Sequence, residues 1–198
     1  MSVPHFFTHR MTMVRRLARR SAVLAMAALL VAACSPALDW RTLHNDAGYT
    51  IDLPAKPMLD AREITIGGAP MTMRMQAAHV SGAVFAVGTV MLPDARPATR
   101  QAALDVLRAA LSRNLHAPAA RREVTVPLAA GGTVPGIELT VNGEPAGTAS
   151  GAQGAAAGKT LVARLVARGT HVYQAVAIAD APLPADVLDS FFGSFKLD

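Results

Sequence analysis

The sequence predicts an α+β fold, an antiparallel β-sheet with one long and one short C-terminal helix packed on it. Three observations carry that prediction. From Trp40 onward the order is strand-like stretches, one long helix-like stretch, more strand-like stretches and a short helix-like end. Neighbouring strand-like stretches are separated by a few turn-forming residues, which suits hairpins and hence antiparallel pairing. One stretch is apolar on both faces, as a strand inside a covered sheet must be.

The elements follow in order. "WRTLHNDAGYTIDLPAKP", residues 40–57, reads as a hairpin: Tyr49, Ile51 and Leu53 alternate with Thr50 and Asp52 after a turn around Asn45-Asp46-Ala47-Gly48. "REITIGGAPMTMRMQAAHV", residues 62–80, reads as a second hairpin turning at Gly67-Gly68, with Pro70 limiting the strand start. "AVFAVGTVML", residues 83–92, is the internal strand. Pro93 and Pro97 separate it from "ATRQAALDVLRAALSRNLHA", where Leu104, Leu107, Leu111 and Leu115 recur at helical spacing. Arg100, Arg108 and Arg113 are left for solvent, and Pro118 lies just past the end.

The second half repeats the style. "REVTVPL" and "VPGIELTV" flank a turn at Ala129-Ala130-Gly131-Gly132, and "TLVARLVARGTHVYQAVAIA" pairs two strands around Arg168-Gly169-Thr170. Between these hairpins "NGEPAGTASGAQGAAAGK", residues 142–159, is Gly/Ala-rich and predicts a long flexible loop. "PADVLDSFFGSFKL", residues 184–197, predicts the final helix, with Val187, Leu188, Phe191 and Phe192 near one face.

The first third is an address. Arg10, Arg15, Arg16, Arg19 and Arg20 precede "AVLAMAALLVAA", residues 22–33, and no acidic residue comes before Asp39. A basic stretch, a short apolar run and small residues at its end make a secretory signal peptide. At roughly 1.5 Å per residue the run spans about 18 Å, short of the ~30 Å hydrocarbon core, so it is too short for a permanent span. Two Arg pairs raise twin-arginine export, but the bulky apolar residues expected shortly after the pair are poorly matched, and general secretion is favoured.

Val31-Ala32-Ala33-Cys34 resembles a bacterial lipobox, an aliphatic residue and two small residues before a cysteine. That resemblance implies cleavage between Ala33 and Cys34 and lipidation of the Cys34 thiol and new amino group. Several acyl chains hold far more firmly than a single one. Because Ser35 is not Asp, the resemblance further implies sorting to the outer membrane, with the domain facing the periplasm. The expected organisation is a signal peptide at 1–33, a lipidated tether at 34–39 and one periplasmic domain at 40–198.

The leader also explains the charge. The whole chain of 198 residues has a formal net charge of +5, but five of its 19 basic residues and none of its 14 acidic residues lie before Cys34. The remainder balances 14 against 14, so the pull toward nucleic acid disappears. Cys34 is the single cysteine. No thiol is left for catalysis, Cys-ligated zinc or a disulfide, and stability rests on packing.

Candidate sites are few. "GAAAGKT", Gly154–Thr160, resembles a phosphate loop, but Gln153 stands where the first Gly is needed and a strand follows Lys159 instead of a helix, so no nucleotide is expected. Met71, Met73, Met75, Ala77 and His79 share one face of a strand. Thioether and imidazole ligands suit Cu(I), yet a core-facing strand looks the same, because Met fills irregular gaps. Core packing is favoured, and a Cu(I) carrier is the alternative. His44, His79, His116 and His171 show no metal-ligand spacing. Asp46, Asp52, Asp60 and Glu63 form the densest acidic region, with the spacing of turns and strand exteriors. Trp40 is expected to pack at a sheet edge.

"YTIDLPAKP", "HVYQAVAI" and "FFGSFKL" together resemble the PsbP-like α/β/α sandwich group, including bacterial lipoproteins of the DcrB type. These motifs cover both ends of the domain and are packing signatures. The resemblance implies a sandwich fold and an accessory or assembly role. The expectation is therefore a non-catalytic protein-interaction module of the cell envelope, without a cofactor beyond the lipid on Cys34, with the bilayer and an envelope protein as partners. A hydrolase or small-ligand receptor is the further alternative.

Overall fold

A computed structural model describes residues 38–115, 117–143 and 158–198. The expected signal peptide, with its cleavage and lipidation residues Ala33 and Cys34, lies outside the described residues, as do His116 and residues 144–157 of the Gly/Ala-rich stretch. The compact unit runs from Leu38 to Asp198. Asp39, expected in the tether, already belongs to it, since its backbone N–H donates to the Pro54 carbonyl at 2.9 Å.

The fold is mixed α+β and its sheets are antiparallel, as expected. It has two sheets where the sequence suggested one. The main sheet contains seven strands: β3 (Met58–Ile66), β4 (Ala69–Val80), β5 (Ala83–Met91), β6 (Ala120–Pro127), β7 (Thr133–Gly143), β8 (Lys159–Arg168) and β9 (His171–Ala179). Their spatial order is β3-β4-β5-β9-β8-β7-β6. The first hairpin, β1 (Arg41–Asn45) and β2 (Tyr49–Leu53), instead forms a small sheet with β10 (Lys196–Leu197). Pro54 and Pro57 interrupt the chain between β2 and β3, and Leu197 and Lys196 pair with Tyr49 and Thr50.

That pairing corrects the expected final helix. α2 (Ala185–Ser194) stops before Phe195, whose φ of −70° and ψ of 114° are extended, and Lys196-Leu197 continues as strand. Phe195 and Leu197 are both fully buried, one packing on the aromatic cluster and the other closing the small sheet.

The central strands of the main sheet are covered on both faces. α1 (Pro97–Asn114) packs on one face through Ala103, Leu107 and Leu111, spaced by four residues and at most 3% exposed. Leu104, expected in that stripe, is only partly buried. Leu139, Leu161, Leu165, Val90 and Val172 form the sheet's side of this aliphatic core. The opposite face is aromatic: Phe85, Tyr173 and Val87 lie under Tyr49, Ile51 and Leu53 of the small sheet and Phe191 and Phe192 of α2. Each such side chain contributes about 1.5–3 kcal/mol by leaving water.

Hairpin turns set the register. Gly67 and Gly68 both have positive φ, 59° and 82°, so they close a two-residue turn between Ile66 and Ala69. Ile66–Ala69 is then a hydrogen-bonded pair, and the alternation along the ladder turns Asp60, Arg62 and Ile64 toward β4. The backbone groups of Leu59, Ala61, Glu63 and Thr65 point the other way. Pro70 sits inside β4 opposite Thr65, not at its limit. Its missing N–H is directed toward β5, whose pairing begins only at Met73, so no bond is lost.

Candidate functional site

The methionine stripe faces α1. Met73 is 4% exposed and belongs to the aliphatic core, while Met71 and Met75 are half-buried beside it. Met73 occupies the space that Gly88 leaves, and a Cβ on Gly88 would lie 2.0 Å from the Met73 terminal methyl. His79 is exposed at the far end of the strand. At about 3.4 Å per residue, Met71 and His79 stand roughly 27 Å apart, so the four side chains do not converge on one ion.

The other sequence candidates are dispersed as well. His44 Nδ1 lies 3.0 Å from Thr50 Oγ1 in the small sheet, and the His171 ring stacks on Tyr173. Asp52 accepts a hydrogen bond from Thr42 at 2.6 Å, whereas Asp60 and Glu63 lie on β3 in the other sheet. Among the described residues, no group of three or more His, Cys, Asp or Glu side chains is placed to hold a metal ion. Lys159 pairs with Asp180 at 2.9 Å, and the strand β8, not a helix, follows it. Trp40 packs edge-on against Phe85, with ring centres 6.4 Å apart. Among the described residues no helix is long and apolar enough to cross a membrane.

The structure assembles one charged cluster that the sequence reading missed. Arg122, Glu138 and Arg164 are direct neighbours on β6, β7 and β8. The Glu138 carboxylate accepts hydrogen bonds from Arg122 and, at 2.9 Å, from Arg164 Nε. Arg164 also donates to the Phe192 carbonyl at 3.0 Å, and its guanidinium lies 4.8 Å from the centre of the Phe192 ring. Burial pushes the Glu138 carboxyl up, but the hydrogen bonds and charges of both arginines outweigh it and hold the group below the usual carboxylate range. A carboxylate so held is no proton donor at neutral pH. The cluster joins three strands to α2.

Two open grooves flank these elements. The larger, about 700 Å³, lies between Leu104 of α1 and the β6–β7 edge, where Arg121, Glu123, Thr125 and Ile137 line it. The smaller, about 360 Å³, lies between the β1–β2 turn and the β8–β9 turn. Its wall is fixed by Tyr173, whose hydroxyl donates to the Ala47 carbonyl at 2.8 Å.

The most distinctive surface is the strand β3. It ends the main sheet, and Met58 through Glu63 are exposed on both faces. Met58 is 58% and Leu59 80% exposed, two of the three large hydrophobics exposed among the described residues. The Ala61 N–H, turned away from β4, is satisfied only by its neighbour's carboxylate, Asp60 Oδ1 at 2.8 Å. An unpaired row of backbone groups beside exposed apolar side chains is a template for another strand.

No family model matches this chain, and no curated protein matches it either. The site therefore stands on its geometry, and β3 is the candidate the geometry offers.

Proposed function

We propose that this chain is a lipid-anchored envelope protein whose folded unit is a non-catalytic interaction module, engaging a protein partner by strand addition at β3. Its location is the outer membrane, with the domain facing the periplasm. The observation that carries the module is the open β3 edge with Met58 and Leu59 exposed beside it. The anchor rests on Val31-Ala32-Ala33-Cys34, which stands four residues before Leu38 in the sequence. The layer order of α1, main sheet, and small sheet with α2 supports the likeness to PsbP-like sandwiches, and with it the accessory role.

Each half has its own test. The Cys34→Ser chain is expected to lose its lipid and leave the membrane fraction, and unchanged retention contradicts the anchor. For the module, Ala61→Pro removes an outward N–H without touching the β4 ladder. It is expected to abolish partner capture while unfolding at the wild-type temperature. Capture that survives Ala61→Pro contradicts strand addition at β3.

A further inference from the structure

The partner at the β3 edge is readable from the strand itself. We infer that β3 pairs with β3 of a second copy of this chain, antiparallel and centred on Ala61, joining two seven-stranded sheets across a two-fold axis. The inference rests on the reading of β3 as the interaction edge and does not depend on the lipid anchor.

A two-fold axis normal to the sheet keeps each side chain on its own face, so only residues of equal parity face each other. That leaves few registers for "MLDAREITI". Centring on Asp60 sets Asp60 against its own copy; centring on Arg62 or Glu63 does the same with those charges. Like charges directly opposite destabilise a sheet. Centring on Ala61 is different. Asp60 then faces the second copy's Arg62 and Arg62 faces its Asp60, giving two opposite-charge pairs. Met58 faces Ile64 on the same face, twice, which extends the apolar fringe beside α1 across the axis. Leu59 faces Glu63 on the other face, and the small Ala61 meets itself on the axis.

The backbone agrees with this register. Leu59, Ala61 and Glu63 carry the outward N–H and C=O groups, so Ala61 with its copy and Leu59 with Glu63 are the hydrogen-bonded pairs. Asp60 and Arg62 fall at the non-hydrogen-bonded positions, where facing side chains are closer. Among the described residues, no ion pair engages Asp60, Arg62 or Glu63. Their charges are available to a partner. Edge charges usually protect a sheet against indiscriminate pairing. Here the charges reject the registers centred on Asp60, Arg62 and Glu63, and the one centred on Ala61 turns them into opposite-charge pairs.

The test uses the full chain extracted in mild detergent, with mass read by light scattering at high micromolar concentration. The wild type is expected to carry the mass of two chains, Arg62→Asp that of one, and the swapped Asp60→Arg/Arg62→Asp chain that of two again. Ala61→Cys provides the register. Hydrogen-bonded partners stand about 5.5 Å apart between Cα atoms, within disulfide reach, so mild oxidation should join two copies. Leu59→Cys, four positions from its own copy, should join far less, with the wild type as control for Cys34. A single-chain mass for the wild type overturns the inference, as does a swap that fails to restore the dimer or equal joining at Leu59→Cys. If Ala61→Cys is instead joined to a different envelope protein, self-pairing falls while the edge reading stands. If it joins nothing, self-pairing falls, and the edge reading is decided separately by partner capture with Ala61→Pro.

Discussion

A single row of facing residues crosses all seven strands of the main sheet: Leu59, Gln76, Val87, Ala175, Arg164, Glu138 and Arg122. Its two ends are finished differently. At the β6 end the row becomes charged, and the charges are consumed internally, Glu138 between two guanidiniums and Arg164 against Phe192. Just beyond, Leu128 bridges Leu197 and the Ala129 N–H donates to the Leu197 carbonyl, so β10 turns the small sheet over that corner. At the β3 end the row stops in Leu59, exposed and apolar, with no strand beyond it. The first edge meets the chain's own end at its Leu128 corner. The other meets no further strand, and its exposed residues are apolar as well as charged.

The largest effect is expected at β10. Leu197 is fully buried and ties the small sheet to the β6 corner, so Leu197→Ala should cost about 2–5 kcal/mol in denaturant unfolding. A cost near zero would mean that β10 does not hold the small sheet to the β6 corner.

Next comes the charged cluster. Glu138→Gln leaves Arg164, with its side chain 20% exposed, short of its carboxylate, a loss of about 1–3 kcal/mol at neutral pH. The pH dependence has a definite sign. Because the folded Glu138 carboxyl titrates below its ordinary value of 4.5, its contribution is complete above that value. The contribution is lost as pH falls through the folded value. Acid unfolding curves of the wild type should therefore steepen below about pH 4.5, and Glu138→Gln should remove that part of the slope. Identical slopes would show that the carboxylate is not preferentially stabilised in the fold.

The smallest effect belongs to the open end. Leu59→Ala, at a position 80% exposed, should change the stability of a dissociated chain by less than about 0.5 kcal/mol. A loss comparable to that of Leu197→Ala would show Leu59 to be covered by something in its own chain.

These contrasts also explain what the sequence could reveal. The hairpins were legible because their turns are local: Gly67-Gly68 and Arg168-Gly169-Thr170 announce themselves beside alternating strands. α1 was legible from its apolar repeat, although the buried stripe runs through Ala103 instead of Leu104. The small sheet was not, because β10 is two residues long and pairs with a strand nearly the whole domain away. Phe195 and Leu197 also continue the apolar pattern of α2, and only tertiary pairing decides that Lys196-Leu197 is strand.

The sites divide the same way. The facing of Met71, Met73 and Met75 follows from strand alternation alone, but the role of Met73 depends on Gly88 in the neighbouring strand. The Arg122–Glu138–Arg164 cluster needs the register of two hairpins before its members meet. Nothing within "MLDAREITI" says that this strand ends the sheet. That follows from β5 choosing β9 as its second neighbour. Once the edge is known, the strand's own charges become the basis of the proposed self-pairing.

Amide hydrogen exchange along β3, followed as a function of concentration, tests the open edge most directly. At low concentration Leu59, Ala61 and Glu63 are expected to exchange fast and Asp60, Arg62 and Ile64, whose N–H groups bond to β4, slowly. At high concentration the first three should slow together as the second copy pairs. Slow exchange at Leu59, Ala61 and Glu63 that is independent of concentration would contradict the account, since it would mean that the edge is already occupied within a single chain.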